Sequence, residues 1–235
     1  MKRKAVLIGA SGRVGKALTQ ELAALYDTLI IITRTQPNTI SENTHIYHVQ
    51  NFDVLSDTIA SMPIGLDTDV FSCLSIAKKD ATSSDEFHQV NVSFNLAFAK
   101  ACHDKGVKRF FYLSKMGADK AKGDVELVAK SDVERYLSSL NFGDVVFFRL
   151  HKLTPAKEKL SIKSLSRFGV YFAKTTLNTM ISFDKKERLT PKRVAAAMAL
   201  TAYQLNLRNK YQTHGKNCLV ISHDEMCAMT AVDGH

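Results

Sequence analysis

Gly9, Gly12 and Gly15 stand at G-x-x-G-x-x-G spacing within Gly9-Ala10-Ser11-Gly12-Arg13-Val14-Gly15. Glycines at such intervals let a backbone turn tightly and approach a polyanion, so the chemistry they suit is holding phosphate. Gly9 would allow the turn, Gly12 the approach to a pyrophosphate, and Gly15 the close packing of the next element. Ser11, Arg13 and Val14 complete the expected cradle. Further on, at Thr33-Arg34-Thr35, a second group of residues bears on which phosphates are held. An NAD site of this kind wants Asp or Glu there for the ribose 2′-hydroxyl, about 20 residues past the glycines. Arg34 can instead stack on adenine and pair with a 2′-phosphate, and Arg13 adds a second cation. Thr33 and Arg34 therefore point to NADP(H) over NAD(H).

These residues need elements to position them. Lys4-Ala5-Val6-Leu7-Ile8 reads as a buried strand, and Lys16 to Leu22 opens a helix whose first N–H groups would face the phosphates. Thr28 to Thr33 is a second strand, apolar throughout as a strand buried on both faces should be. His45 to Gln50 is a third, followed by a helix capped by Asp53 and running to about Met62. Thr68 to Leu74 is a fourth strand, and the polar loop from Ser75 to Ser84 is placed over the ligand. Asp85 to Asp104 is an amphipathic helix carrying Phe87, Val90, Phe94 and Phe98, ended by Gly106. Val107 to Leu113, a helix over Asp124 to Leu140, and Asp144 to Leu150 follow. Pro191 starts a further helix, Cys218 to Ile221 is a short strand, and Ser222 caps a last turn. The pattern predicts an α/β protein with a doubly wound parallel sheet. Residues 1–150 are expected to form the nucleotide-binding core, and 151–235 a small cap packed on the same domain.

The 235 residues suffice for one such domain. No apolar run approaches the ~20 residues of a membrane span, and the basic Met1-Lys2-Arg3-Lys4 precedes too short an apolar segment for a leader. A cytoplasmic location is expected. Cys73, Cys102, Cys218 and Cys227 lack metal-ligand spacing and are read as free thiols, three of them in apolar contexts. The net charge of +9 is concentrated between Leu150 and Arg193, where eleven Lys/Arg face three acidic residues. That stretch is read as a solvated basic face, and no aromatic platform or helix-turn-helix pattern supports nucleic acid.

Several stretches together resemble one family. The glycine loop, Gly106-Val107-Lys108-Arg109-Phe110 and Tyr112-Leu113-Ser114 look like the atypical short-chain dehydrogenase/reductases. Ser114-Lys115-Met116-Gly117-Ala118-Asp119-Lys120 and Lys130-Ser131-Asp132-Val133-Glu134 are closest to the NmrA-like and Tat-interacting-protein-like branch. The resemblance covers residues 4–150 and implies a Rossmann fold with a nicotinamide dinucleotide. It also implies a Ser, a Tyr and a Lys, the last two spaced Y-x-x-x-K. In that set tyrosine moves the proton at the substrate oxygen, lysine lowers its pKa and holds the ribose, and serine orients the carbonyl. Ser114 matches the serine and Lys130 the lysine, while the tyrosine position holds Glu126 and the neighbouring serine position Lys115. Asn51 and Phe52 match the adenine side, and Ser72, Cys73 and Leu74 the segment beneath the adenosine ribose.

Glu126 is expected first as an i,i+4 ion pair with Lys130. An ionised carboxylate cannot donate the proton that carbonyl reduction requires. Tyr112 is read as lying off the Ser114 face. The expected functions are an NADP-dependent oxidoreductase on a small carbonyl or quinone, with Ser114, Lys130 and Glu126 at its centre, or a non-catalytic NADP-binding sensor with a protein partner. An epimerase-like enzyme would need the missing tyrosine.

Overall fold

The computed structural model describes residues 3–35, 41–151, 153, 189–209 and 217–231. Their order is β1 (Lys4–Ile8), α1 (Arg13–Leu25), β2 (Thr28–Thr33), β3 (Thr44–His48), α2 (Leu55–Ser61), β4 (Thr68–Ser72), α3 (Ser84–His88) and α4 (Phe94–Asp104). Then come β5 (Arg109–Lys115), α5 (Val125–Ser139), β6 (Asp144–Leu150), α6 (Pro191–Asn209), β7 (Asn217–Ile221) and α7 (His223–Met229). The seven strands make one parallel sheet in the order β3-β2-β1-β4-β5-β6-β7. The chain winds outward from β1 to β3, then returns to place β4 on the other side of β1. Ligands of such sheets bind outside the carboxyl ends of the strands at that reversal.

Both faces of the sheet's central strands are covered, which is why β1 and β2 read as nearly unbroken apolar runs. Val6, Ile8, Ile30, Ile32, Val70, Phe110 and Val145 point into one core with Phe87, Phe98 and Val133. Their neighbours Leu7, Leu29, Ile31, Phe71, Phe111 and Phe148 point into the other, against Leu18, Leu22, Val194 and Met198. The alternation follows from the two-residue period of a strand. Each such fully buried side chain stabilises the fold by roughly 1.5–3 kcal/mol.

The doubly wound prediction is met. Boundaries differ in several places, with β3 ending at His48 and β4 at Ser72, each two residues earlier than expected. β5 starts later than expected and runs through Lys115, so Ser114 lies inside the strand. The turn before α2 is capped by Asn51, whose side chain accepts from the Asp53 N–H at 2.9 Å, where the sequence suggested Asp53 as the cap. The long helix over 84–104 is interrupted by a π-turn at Gln89–Ser93.

Beyond residue 150, α6 lies against α1 and β7 extends the sheet beside β6. Ser222 caps α7 as expected, in a reciprocal capping box with Glu225. Residues 154–188, which hold most of the basic stretch, lie outside the described residues. Cys102 and Cys227 are buried and Cys73 is half-buried, but Cys218 is exposed on the edge strand. No group of metal-ligating side chains and no helix long and apolar enough to cross a membrane occurs among the described residues.

Candidate functional site

The carboxyl ends of β1 to β5 bring the expected residues to one edge of the sheet. Gly9 sits at φ 79°, a left-handed conformation, and a Cβ there would lie 2.5 Å from the Cys73 carbonyl carbon. Gly15 lets α1 press onto the loop, since its Cβ would stand 2.0 Å from the Gly9 carbonyl oxygen. Gly12 is the N-cap residue of α1, with no side chain bonded to the helix end and no acidic residue in the first turn. Ser11, Gly12 and Arg13 are exposed, whereas Val14 and Gly15 are buried beneath them. A close-approach loop leading to an uncapped helix N-terminus fits the pyrophosphate of a dinucleotide.

Next to this loop, Thr33 is buried at the end of β2 and its hydroxyl is bonded to Thr35. Arg34 is exposed, with its guanidinium 5.4 Å above the centre of the Phe52 ring. His48, the last residue of β3, hydrogen-bonds through Nε2 to the Arg34 carbonyl oxygen at 2.9 Å. Phe52 is buried and Asn51 exposed beside it. Arg34 thus lies on an aromatic shelf formed by Phe52.

β4 supplies the floor. The buried Ser72 hydroxyl donates to Asn95 Oδ1 at 2.5 Å, and the Asn95 amide donates to the carbonyls of Leu74, Val90 and Asn91. Asn91 donates to the carbonyls of Ile76 and Phe87 and accepts from the Ser75 hydroxyl at 2.6 Å. The two asparagines therefore tie the π-turn to the loop that follows β4. The sequence reading passed over them. Their signal was two asparagines four residues apart on the helix face that carries Phe87, Val90, Phe94 and Phe98.

The residues expected at the catalytic centre are each turned toward protein partners. Ser114 donates to Glu134 Oε1 at 2.6 Å, and Arg149 holds the same carboxylate through Nε at 3.0 Å and Nη2 at 2.6 Å. Glu134 is buried, so this is a committed network, and it was not anticipated. Glu126 does not pair with Lys130. Its Oε2 accepts from Lys115 Nζ at 2.8 Å, and its Oε1 lies 3.4 Å from the Lys78 N–H of the loop after β4. The hydrogen bond from Lys115 holds the Glu126 carboxyl below its ordinary range, and Glu126 in turn raises Lys115. The two departures from the family motif are thus partners of one another.

Lys130 extends to the Leu113 carbonyl at 3.0 Å and the Tyr112 hydroxyl at 3.2 Å, with Nζ 4.7 Å from the Tyr112 ring centre. Tyr112 lies two residues before Ser114 and so shares its strand face, contrary to the sequence reading. Its side chain is fully buried, and burial followed by the Glu134 charge pushes its hydroxyl up. Burial pushes the Cys73 thiol up to about 12 and drops the Lys130 ammonium to about 8.

Comparison with known proteins gives this edge a context. Residues 9–147 match the model of a family described as NAD(P)H-binding. A curated protein of Meyerozyma guilliermondii named "Protein FMP52, mitochondrial" is 27% identical over 149 residues, 62% of this chain and 63% of its own length. Its namesake in Candida albicans is 23% identical over 147 residues, 61% of this chain and 64% of its own. The match thus spans less than two thirds of these relatives. A third, from Eremothecium gossypii, carries the same name, and the word "mitochondrial" in all three overturns the cytoplasmic expectation. Among solved structures, the Bordetella bronchiseptica enzyme WbmH in complex with NAD+ superposes with TM-score 0.62 at 15% identity, over 93% of this chain and 75% of its own. A short chain dehydrogenase family protein from Francisella tularensis gives 0.61 at 15%, over 97% and 100%. At such identities these structures share the fold.

Proposed function

This chain belongs to the NAD(P)H-binding family, with its structural neighbours among the short-chain dehydrogenases and epimerases, and we propose that it binds NADP(H) as an oxidoreductase. The substrate class we assign is a small carbonyl or quinone. A bound reduced nicotinamide would supply a hydride to the electrophilic carbon. Gly9, Ser11, Gly12, Arg13, Val14 and Gly15 would hold the pyrophosphate, and Thr33, Arg34, Asn51 and Phe52 the adenosine end. Ser72, Cys73 and Leu74 would pass beneath the ribose, and Lys130 would face the nicotinamide side. The observation that carries the NADP assignment is Arg34, a cation seated over Phe52 where an NAD site would have a carboxylate.

Fluorescence titration of the full chain is expected to give tighter binding of NADPH than of NADH. Arg34→Asp should reverse that order, because a carboxylate repels a 2′-phosphate and accepts from a 2′-hydroxyl. A wild type that prefers NADH overturns the assignment.

A second reading is a non-catalytic NADP-binding regulator of the NmrA-like kind, with a protein partner. It is favoured by the Ser114–Glu134 and Lys115–Glu126 bonds, which engage the carbonyl-orienting and tyrosine positions within the protein. Following absorbance of NADPH over a panel of quinones and aldehydes separates the two. Oxidation of NADPH that survives Glu126→Gln and falls with Ser114→Ala supports the reductase; binding without turnover supports the regulator. We further propose that the region after residue 150, besides supplying α6 and β7 to the core, contributes to the substrate side. After the names of its relatives, the proposed location is the mitochondrion.

A further inference from the structure

Lys130 lies between two carboxylates on its own helix, Glu126 one turn before and Glu134 one turn after. Spacing alone would pair it with either. Neither is available: Glu126 is held by Lys115, and Glu134 by Arg149 and Ser114. The Lys130 amine is left with a carbonyl, a phenol oxygen and an aromatic face, and with no ion-pair partner among the described residues. It is half-buried at the carboxyl end of β5, beside Cys73 at the end of β4.

We propose that Lys130 is the proton donor of the reduction, in place of the tyrosine that this chain lacks. The proposal rests on the oxidoreductase reading above. As the carbonyl carbon gains its C–H bond from the hydride, the π electrons move onto oxygen. One N–H proton of Lys130 passes to that oxygen, leaving an alcohol and a neutral amine that water reprotonates. The diverted counterions are what make this workable. An ammonium paired with carboxylates would hold its proton too tightly, whereas the desolvated, unpaired amine titrates at about 8. Around it, the Cys73 thiol and Tyr112 phenol are pushed up and stay protonated, while Lys115 keeps Glu126 ionised. Glu134 faces it from the same helix, already bonded to Arg149.

Two readouts test this on the full chain. Trace labelling with acetic anhydride across pH, read lysine by lysine by mass spectrometry, is expected to place the Lys130 midpoint near 8, with protection by NADPH. A midpoint in the ordinary lysine range of about 10.4 overturns the proposal. Lys130→Arg keeps a charge but cannot release a proton. Turnover of this variant is read at saturating NADPH, so that a change in cofactor affinity does not enter the comparison. The Lys130→Arg variant should lower reduction of a small aldehyde by roughly a hundredfold or more, and wild-type turnover should decline above about pH 8. An arginine variant that turns over normally shows a merely positioning role and sinks the proposal alone. A wild type that binds NADPH and oxidises it with no probe removes the oxidoreductase reading and the proposal with it.

Discussion

Gly15→Ala is expected to abolish dinucleotide binding. The added methyl would stand 2.0 Å from the Gly9 carbonyl oxygen and 2.9 Å from the Ala10 Cα, both backbone atoms that no rotamer change can move aside. Either α1 retreats from the sheet or the loop opens, and both misalign the helix N–H groups from a pyrophosphate. Hydrogen bonds to charged groups contribute about 1.5–3 kcal/mol each. Losing two of them corresponds to more than a hundredfold in affinity, at about 1.4 kcal/mol per factor of ten. Titration with NADPH should therefore show no saturation at concentrations that fill the wild type. Gly12→Ala is the contrast, since its nearest obstacle is the Gly9 oxygen at 3.3 Å and its φ is −70°. If Gly15→Ala binds NADPH normally, the helix does not meet the phosphates as argued.

Asp69→Ala should cause the largest loss of stability. Asp69 is fully buried at the amino end of the sheet, with Arg109 Nε 2.6 Å from one carboxylate oxygen and Arg3 and the Tyr26 hydroxyl on the other. Arg3 also lies over the Tyr26 ring. Removing the carboxylate leaves the buried Arg109 guanidinium uncompensated, which costs about 3–5 kcal/mol. For a chain of this length that lowers Tm by on the order of 10 °C. Thermal denaturation followed by circular dichroism measures it, and a shift under about 2 °C would show that the pair is solvated. Because this network lies at the opposite end of the strands from the glycine loop, NADPH affinity measured well below the new Tm should be unchanged.

Much of the fold was legible because its causes are local. Lys4 to Ile8 and Thr28 to Thr33 are apolar without alternation, which marks strands buried on both faces, and both formed as expected. Pro191 and Ser222 mark helix starts through their own backbone and side-chain chemistry, and α6 and α7 begin there. Gly9 and Gly15 announced a close approach because no other residue tolerates one.

What failed was partner choice. Spacing along α5 paired Glu126 with Lys130, yet Lys115 reaches Glu126 from β5, a cation eleven residues away in sequence and 2.8 Å away in space. Tyr112 was set on the wrong strand face by a miscounted period. Asn95 stands out only once the loop after β4 supplies its carbonyl partner.

The sequence by itself determined a parallel sheet with a glycine turn after its first strand, and a cationic residue just past the end of its second. Those features depend on backbone conformation and on periodicity within a few residues. Only the tertiary structure decided that Glu134 is engaged by Arg149 and Ser114, and Glu126 by Lys115, leaving Lys130 without a counterion among the described residues. Charges pair by distance in space, and the sheet sets those distances by bringing β5, β6 and α5 together.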